Sequence, residues 1–137
     1  MTGLSIVACH MEHLNEVRTH IYGINPIKRV LTISADMSKH EDIESVIAMT
    51  LTEFDGQLGV LVKKALTIGR SPMPYLLDYP LEDFDYVIDT NLVGPFLMIK
   101  KALPAMIEHS GSIIEVTSDL GEIGVMLESI RYIQSWY

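Results

Sequence analysis

A chain of 137 residues with 48% hydrophobic and 20% charged side chains has the length of about one domain and the composition of a folded globular protein. Its net charge of -8 argues against nucleic-acid and anionic-membrane partners, because phosphate groups are bound by basic surfaces. The single cysteine, Cys9, excludes an intrachain disulfide and a cysteine zinc cluster, and it favours a reducing, cytoplasmic setting.

The first quarter of the chain reads as strand, helix, strand. Leu4–Cys9 is a continuous apolar run and predicts a buried strand. Apolar residues at helical spacing predict a helix over Glu12–Tyr22, with Gly23 as its stop. The β-branched run Arg29–Ala35 predicts the second strand.

A second helix and a third strand follow. Ser38 and Glu41 have the spacing of a capping box, so Ser38 is the predicted N-cap. Gly56 lies just past the predicted end of this helix, and Leu58–Val62 is the third strand. The apolar face of the helix comprises Ile43, Val46, Ile47, Thr50 and Phe54.

The second half of the chain contains a longer helical segment. Leu66–Tyr79 holds glycine and prolines and is predicted as a loop, and the helix runs from Leu81 to about His109. Gly94–Pro95 is expected to kink that helix, because proline removes a backbone hydrogen bond. Ser112–Thr117 is the fourth strand, and Ser118–Tyr137 is ambiguous. The order β-α-β-α-β-α-β predicts an α/β fold with a mostly parallel sheet.

Four stretches of the sequence resemble the middle of a short-chain dehydrogenase/reductase. They are Ala35–Ser38, Val60–Ala65, Phe84–Phe96 and Gly111–Ser118, in the family's order, and the likeness extends to Gly121. The resemblance implies an incomplete Rossmann-like three-layer sandwich, with residues 1–137 as one domain truncated relative to the family. It also implies oxidation of an alcohol or reduction of a carbonyl on a small molecule, with NAD or NADP as cofactor.

The resemblance assigns roles to individual residues. Asn91, Ser118 and Tyr132 match the catalytic positions. Asp36, Met37 and Ala65 match cofactor-binding positions, but no acid or base at the end of the first strand reveals a preference for NAD or NADP. Four of these residues have a purely structural alternative. Asn91 could be a partner for backbone groups freed at the Gly94–Pro95 break, and Ser118 a loop cap. Tyr132 could be a plain surface or core tyrosine, and Asp36 a turn residue ahead of the Ser38 cap.

The sequence also departs from the family pattern. It contains no Thr-Gly-x-x-x-Gly-x-Gly turn, Lys63-Lys64-Ala65-Leu66 replaces Asn-Asn-Ala-Gly, and Trp136 stands where a lysine should follow Tyr132. Lys63 and Lys64 read as solvated lysines. These departures leave open a rival function, a non-catalytic α/β module that binds a partner chain or a nucleotide weakly.

The family's central strand has no counterpart in the sequence. The strands at Leu4–Cys9 and Leu58–Val62 would flank it, and unpaired buried backbone groups are costly. The two strands could pair directly, or another chain could supply an edge, or the chain could be part of a longer enzyme. We expect direct pairing as the geometry and a partial gene product as its origin. The apolar stripe of the 81–109 helix is compatible with a homo-oligomer that forms through this helix, although a helix packed on its own sheet has the same pattern.

No metal, membrane or export function is predicted. His10 and His13 are three residues apart, a spacing more typical of solvated helix residues than of metal ligands. No apolar run approaches the roughly 18–20 residues that span a bilayer. The opening Met-Thr-Gly-Leu-Ser lacks the basic and apolar segments of a signal peptide, so none is expected.

Overall fold

Strands and helices alternate along the chain in the computed structural model, which describes residues 3–24, 29–69 and 76–117. The strands are β1 Gly3–Ala8, β2 Arg29–Ser34, β3 Val60–Lys63 and β4 Ser112–Glu115. The α-helices are α1 Met11–Ile24, α2 His40–Glu53, α3 Leu81–Ile88 and α4 Gly94–Glu108, with a short 3₁₀ helix at Leu76–Asp78 and a π-helical turn at Asp89–Val93. The predicted α/β class is confirmed.

The strands form two parallel pairs. β1 pairs with β2 in a register that sets Gly3 opposite Arg29 and Ala8 opposite Ser34. β3 pairs with β4, with Val60 opposite Ser112 and Lys63 opposite Glu115. Parallel pairing is what helical crossovers between successive strands require, so the predicted parallel sheet is confirmed.

The expected direct pairing of the first and third strands is wrong. Among the described strands, β1 is hydrogen-bonded only to β2, and β3 only to β4. The two pairs are connected instead through helices α2 and α4, which pack against each other. Side chains of both halves, such as Ile33 of β2 and Leu61 of β3, meet in one hydrophobic cluster with these helices. This shared apolar layer fixes the positions of the two described strand pairs relative to each other.

The hydrophobic core lies between the helices and the strand pairs. Its centre comprises Ile33, Ala35, Ile43, Val46, Ile47, Met98, Ala102 and Met106. Three of the five residues predicted as the apolar face of the second helix are in this cluster, and Thr50 is also buried. The Thr50 hydroxyl is 3.0 Å from that of Ser5, which provides the hydrogen bond that a buried hydroxyl needs.

The start of α2 differs from the prediction. Lys39, not Ser38, is the N-cap residue, and no side chain caps the helix. The Ser38 hydroxyl donates to Asp36 Oδ1 at 2.7 Å, so it is directed away from the helix end. A carboxylate is a strong acceptor for a hydroxyl, and with its hydroxyl turned to Asp36 the Ser38 side chain accepts no backbone N–H at the start of the helix. Gly56 does follow the helix with φ of 78°, as a C-terminal glycine should.

The first helix is longer than predicted. α1 extends to Ile24, so Gly23 lies inside the helix and does not stop it. A Cβ added at Gly23 would have no atom within 4 Å, so the glycine meets no packing requirement there. The ambiguous segment Ser118–Tyr137 lies outside the described residues.

Candidate active site

A π-helical turn presents Asn91 at the carboxyl end of β3. Pro95 has no N–H, so the carbonyl of Asn91 cannot receive the ordinary i+4 helical hydrogen bond. The backbone widens by one residue here, and the Gly94 N–H donates to the carbonyl of Asp89. π turns of this kind are frequent at functional sites. The predicted break at Gly94–Pro95 is therefore confirmed, in the form of a widened turn.

Asn91 is held by the loop that follows β3. Its Oδ1 accepts the Thr67 N–H at 2.9 Å, and its Nδ2 donates to the Thr67 carbonyl at 2.8 Å. The residue is only 7% exposed, so these bonds replace the water that its amide would otherwise bind. The paired bonds fix both the position and the orientation of the carboxamide.

The start of α4 touches the segment after β2. A Cβ added at Gly94 would collide with the backbone carbonyl of Met37, so only glycine allows this close approach. The contact brings Met37, a predicted cofactor-binding residue, next to the turn that carries Asn91. Two predicted site segments, far apart in sequence, thus lie side by side.

Asp36 organises the segment after β2. Its Oδ1 accepts the backbone N–H of Ser38 at 3.0 Å as well as the Ser38 hydroxyl. Its own N–H donates to the carboxylate of Asp42 at 2.8 Å, which ties the segment to the first turn of α2. The carboxyl group of Asp36 is therefore oriented at the carboxyl end of a parallel strand, where ligands bind in open α/β sheets.

Lys63 is a site residue that the sequence reading missed. Its side chain is 11% exposed, and Nζ lies 3.0 Å from Glu115 Oε1 and 3.5 Å from the Asn91 carbonyl oxygen. The interpretation of Lys63 as a solvated lysine is therefore wrong, whereas Lys64 is exposed as expected. What distinguishes Lys63 from Lys64 is that the β3–β4 register sets it opposite Glu115, a tertiary relation that the sequence alone does not give.

The remaining predicted site residues are Ala65, Ser118 and Tyr132. Ala65 is exposed in the loop between β3 and Thr67. Ser118 and Tyr132 lie outside the described residues, although β4 ends at Glu115, shortly before Ser118. Thr90, next to Asn91, is 7% exposed, and its hydroxyl has no hydrogen-bond partner in the described part of the chain.

Neither a metal cluster nor a membrane span is found in the described ranges. No three His, Cys, Asp or Glu residues there are arranged to hold a metal ion. The His10 and His13 rings contact each other edge to face, with centroids 5.6 Å apart. No helix of residues 3–24, 29–69 or 76–117 is long and apolar enough to cross a membrane.

The chain is similar to known oxidoreductases. It is 31% identical over 119 residues to 2-(R)-hydroxypropyl-CoM dehydrogenase of Xanthobacter autotrophicus, covering 86% of this chain and 46% of that protein. Its structure matches the crystal structure of levodione reductase with a TM-score of 0.86 at 26% identity, over 97% of this chain and 51% of the other. A metagenomic short-chain oxidoreductase in complex with NADP matches with a TM-score of 0.85 at 26% identity, over 96% of this chain and 57% of the other.

These matches establish the fold and the family. The structural neighbours make the α/β fold Rossmann-like, as the resemblance implied. The chain spans about half the length of the relatives it matches. The sequence pattern of the short chain dehydrogenase family matches residues 2–131, nearly the whole chain. The chain belongs to the short chain dehydrogenase family.

Proposed function

We propose that this chain functions as an NAD(P)-dependent oxidoreductase that interconverts an alcohol and a carbonyl on a small molecule. The observation that carries the proposal is Asn91, which is buried, held by two hydrogen bonds and presented by a π turn at the carboxyl end of β3. Its position matches the family's catalytic asparagine. The relatives add support, because one is a dehydrogenase and one solved neighbour is in complex with NADP.

The predicted site residues of this chain would then have separate roles in the reaction. Asn91 offers a fixed polar group, and Ser118 would follow β4 to hydrogen-bond the substrate oxygen. Tyr132 would exchange the proton of the substrate hydroxyl. Asp36, Met37 and Ala65 would hold the cofactor, and a bound nicotinamide would supply the hydride chemistry.

The fit of the dinucleotide is partial. The oriented Asp36 carboxylate and the adjoining Met37 suit the adenine end, and the Asn91 turn suits the reacting end. No glycine-rich turn exists among the 137 residues to bind the diphosphate, so no residue is assigned to that role. Trp136 stands in place of the lysine that lowers the pKa of the family's tyrosine. Slow turnover of this chain alone follows from these two departures.

A fluorescence titration with NADH and with NADPH tests the proposal. Saturable binding of either cofactor supports it, and the ratio of the two affinities reveals the preferred one. Oxidation of small alcohols is then measured for the wild type and for Ser118→Ala, which should bind cofactor equally well and turn over more slowly. Absence of saturable binding of both cofactors at millimolar concentration would reject the proposal for this chain and favour the weakly binding module.

We also propose that the 81–109 segment forms a contact between two copies of the chain. Leu92, Phe96, Leu103 and Ile107 follow helical spacing and are between 37% and 69% exposed. An apolar stripe of this kind on a helix is typical of an interface when nothing else covers it. The cytoplasmic location, the single-domain organisation and the absence of a nucleic-acid partner stay predictions of the sequence.

A further inference from the structure

Lys63 occupies an unusual position for a lysine. It is the last residue of β3, opposite the last residue of β4, and its side chain is 11% exposed. A lysine that is this well covered needs polar partners, because its ammonium has lost most of its water. The described partners are the Glu115 carboxylate at 3.0 Å and the Asn91 carbonyl at 3.5 Å.

The Asn91 carbonyl is an atom for which the helix provides no ordinary partner. Pro95 occupies the position from which an i+4 N–H would come. The Lys63 ammonium donates a long hydrogen bond to this oxygen from a neighbouring strand. At 3.5 Å this contact is longer than the roughly 2.7–2.9 Å typical of a charged donor, so the attraction is mainly that of the ammonium charge for the carbonyl dipole.

Lys63 and Thr67 lie on one short segment and together bind both the main-chain carbonyl and the side-chain carboxamide of Asn91. Lys63 donates to the main-chain carbonyl, and Thr67 exchanges two hydrogen bonds with the side-chain amide. We propose that Lys63 is a positioning residue, whose ammonium docks the Asn91 turn onto the end of β3.

Glu115 is the second member of this arrangement. Its side chain is 31% exposed, and it draws the ammonium across the two strand ends. The Val116 N–H donates to the Lys63 carbonyl at 2.9 Å, so the main chains of the two strands are joined at the same level. The pair therefore links the end of β4 to the Asn91 turn through one cation.

Amide hydrogen exchange by NMR tests the positioning role without any cofactor. Three variants are compared with the wild type. Lys63→Met keeps a long side chain and removes its charge, and Lys63→Arg keeps the charge. Lys64→Met removes the adjacent exposed charge. The Thr67 amide should exchange about tenfold faster in Lys63→Met, because the opening of a turn that loses one charged hydrogen bond costs less free energy. Lys63→Arg and Lys64→Met should stay close to the wild type.

The Val46 amide in the buried face of α2 separates positioning from general destabilisation. The proposal expects Thr67 to change while Val46 keeps its protection in Lys63→Met. Equal acceleration at both amides, or no change at Thr67, would overturn it. If Lys63→Met does not fold, Glu115→Gln serves instead: it should accelerate Thr67 exchange by a smaller factor, and unchanged exchange would refute the role of the pair.

The relevance of this positioning to catalysis rests on the proposed function. If the wild type binds and turns over, Lys63→Met should lower kcat more than it raises KM, because it disturbs Asn91 and leaves the Asp36 segment intact. A rise in KM alone would contradict the assignment. A chain that shows the exchange effect but binds no cofactor would refute the proposed function and leave the positioning role standing.

Discussion

The carboxamide of Asn91 and the backbone of Thr67 are joined by two hydrogen bonds that run in opposite directions. Each partner satisfies both the donor and the acceptor of the other. The π turn and the loop after β3 are thereby fixed to each other at this point. The printed partners of the Asn91 carboxamide thus lie in the loop after β3, and they hold this side chain rigidly at the candidate site.

Asn91→Ala should therefore destabilise the fold as well as the site. It leaves the N–H and carbonyl of Thr67 without their partners, at a cost of about 1–3 kcal/mol. Urea denaturation monitored by circular dichroism measures the change. Gln57→Ala, which removes an exposed side chain, should stay within about 0.5 kcal/mol of the wild type. Equal stability of the two variants would mean that the paired hydrogen bonds contribute nothing.

Gly94→Ala and Gly23→Ala should change stability in opposite directions. Both glycines lie in helices, where alanine is intrinsically better by about 1 kcal/mol. At Gly94 the added methyl group meets the Met37 carbonyl, and the resulting displacement should cost about 1–3 kcal/mol. At Gly23 the methyl group meets nothing within 4 Å. Thermal unfolding of both variants checks the pair, and a stabilised Gly94→Ala would contradict the tight contact with Met37.

Local patterns were enough to predict the elements and the Asn91 turn. Short β-branched runs and helical spacing are properties of neighbouring residues, and so is the loss of a donor at Pro95. The prediction for Ser38 was wrong although its surroundings are equally local. There the Ser38 hydroxyl donates to the Asp36 carboxylate, and spacing alone does not decide between that orientation and one in which the hydroxyl oxygen caps the helix.

Long-range relations could not be predicted in the same way. The partner of each strand depends on how α2 and α4 pack, and the sequence does not state that packing. The same holds for Lys63, whose side chain is only 11% exposed and lies opposite Glu115 in the parallel register. A pair of adjacent lysines resembles a solvated surface until that register is known. The features of the site that could not be predicted are therefore its tertiary contacts, the strand pairing and the Lys63–Glu115 ion pair.

Thr90→Val should stabilise the protein. The Thr90 hydroxyl is buried without a partner in the described ranges, and valine has nearly the same shape. Removal of a buried unsatisfied hydroxyl should raise the free energy of unfolding by about 1 kcal/mol. Denaturant midpoints of the two proteins measure the difference, with Thr50→Val as the contrast, because the Thr50 hydroxyl bonds to Ser5 and its loss should destabilise. A destabilised Thr90→Val would show that the hydroxyl is satisfied in solution.

Charge on the exposed stripe of α4 should separate the two proposed copies. Phe96 is 60% exposed and Ile107 is 69% exposed, so glutamate at either position faces water in a monomer and an apolar surface in a dimer. Sedimentation velocity should show a dimer for the wild type and a monomer for Phe96→Glu and Ile107→Glu. Val17→Glu, at an exposed position of α1, should leave the dimer intact. A wild type that stays monomeric at every concentration would end the proposal.

The ion pair between Glu44 of α2 and Lys101 of α4 should make stability depend on acid pH. Lys101 Nζ lies 2.6 Å from Glu44 Oε1, and its hydrogen bond and positive charge lower the pKa of Glu44 from the ordinary value of 4.5. A pKa lowered by folding gives a stabilising contribution that is complete above about pH 4.5 and is lost as the pH falls through the folded-state pKa. Because the pair is exposed, high salt should weaken the effect.

Urea midpoints between pH 6 and pH 3 should thus fall less steeply for Glu44→Gln than for the wild type. Glu16→Gln, which alters an exposed glutamate of α1 with no ion pair in the described residues, should follow the wild-type curve. Identical slopes for all three proteins would show that the Lys101 contact does not persist in solution.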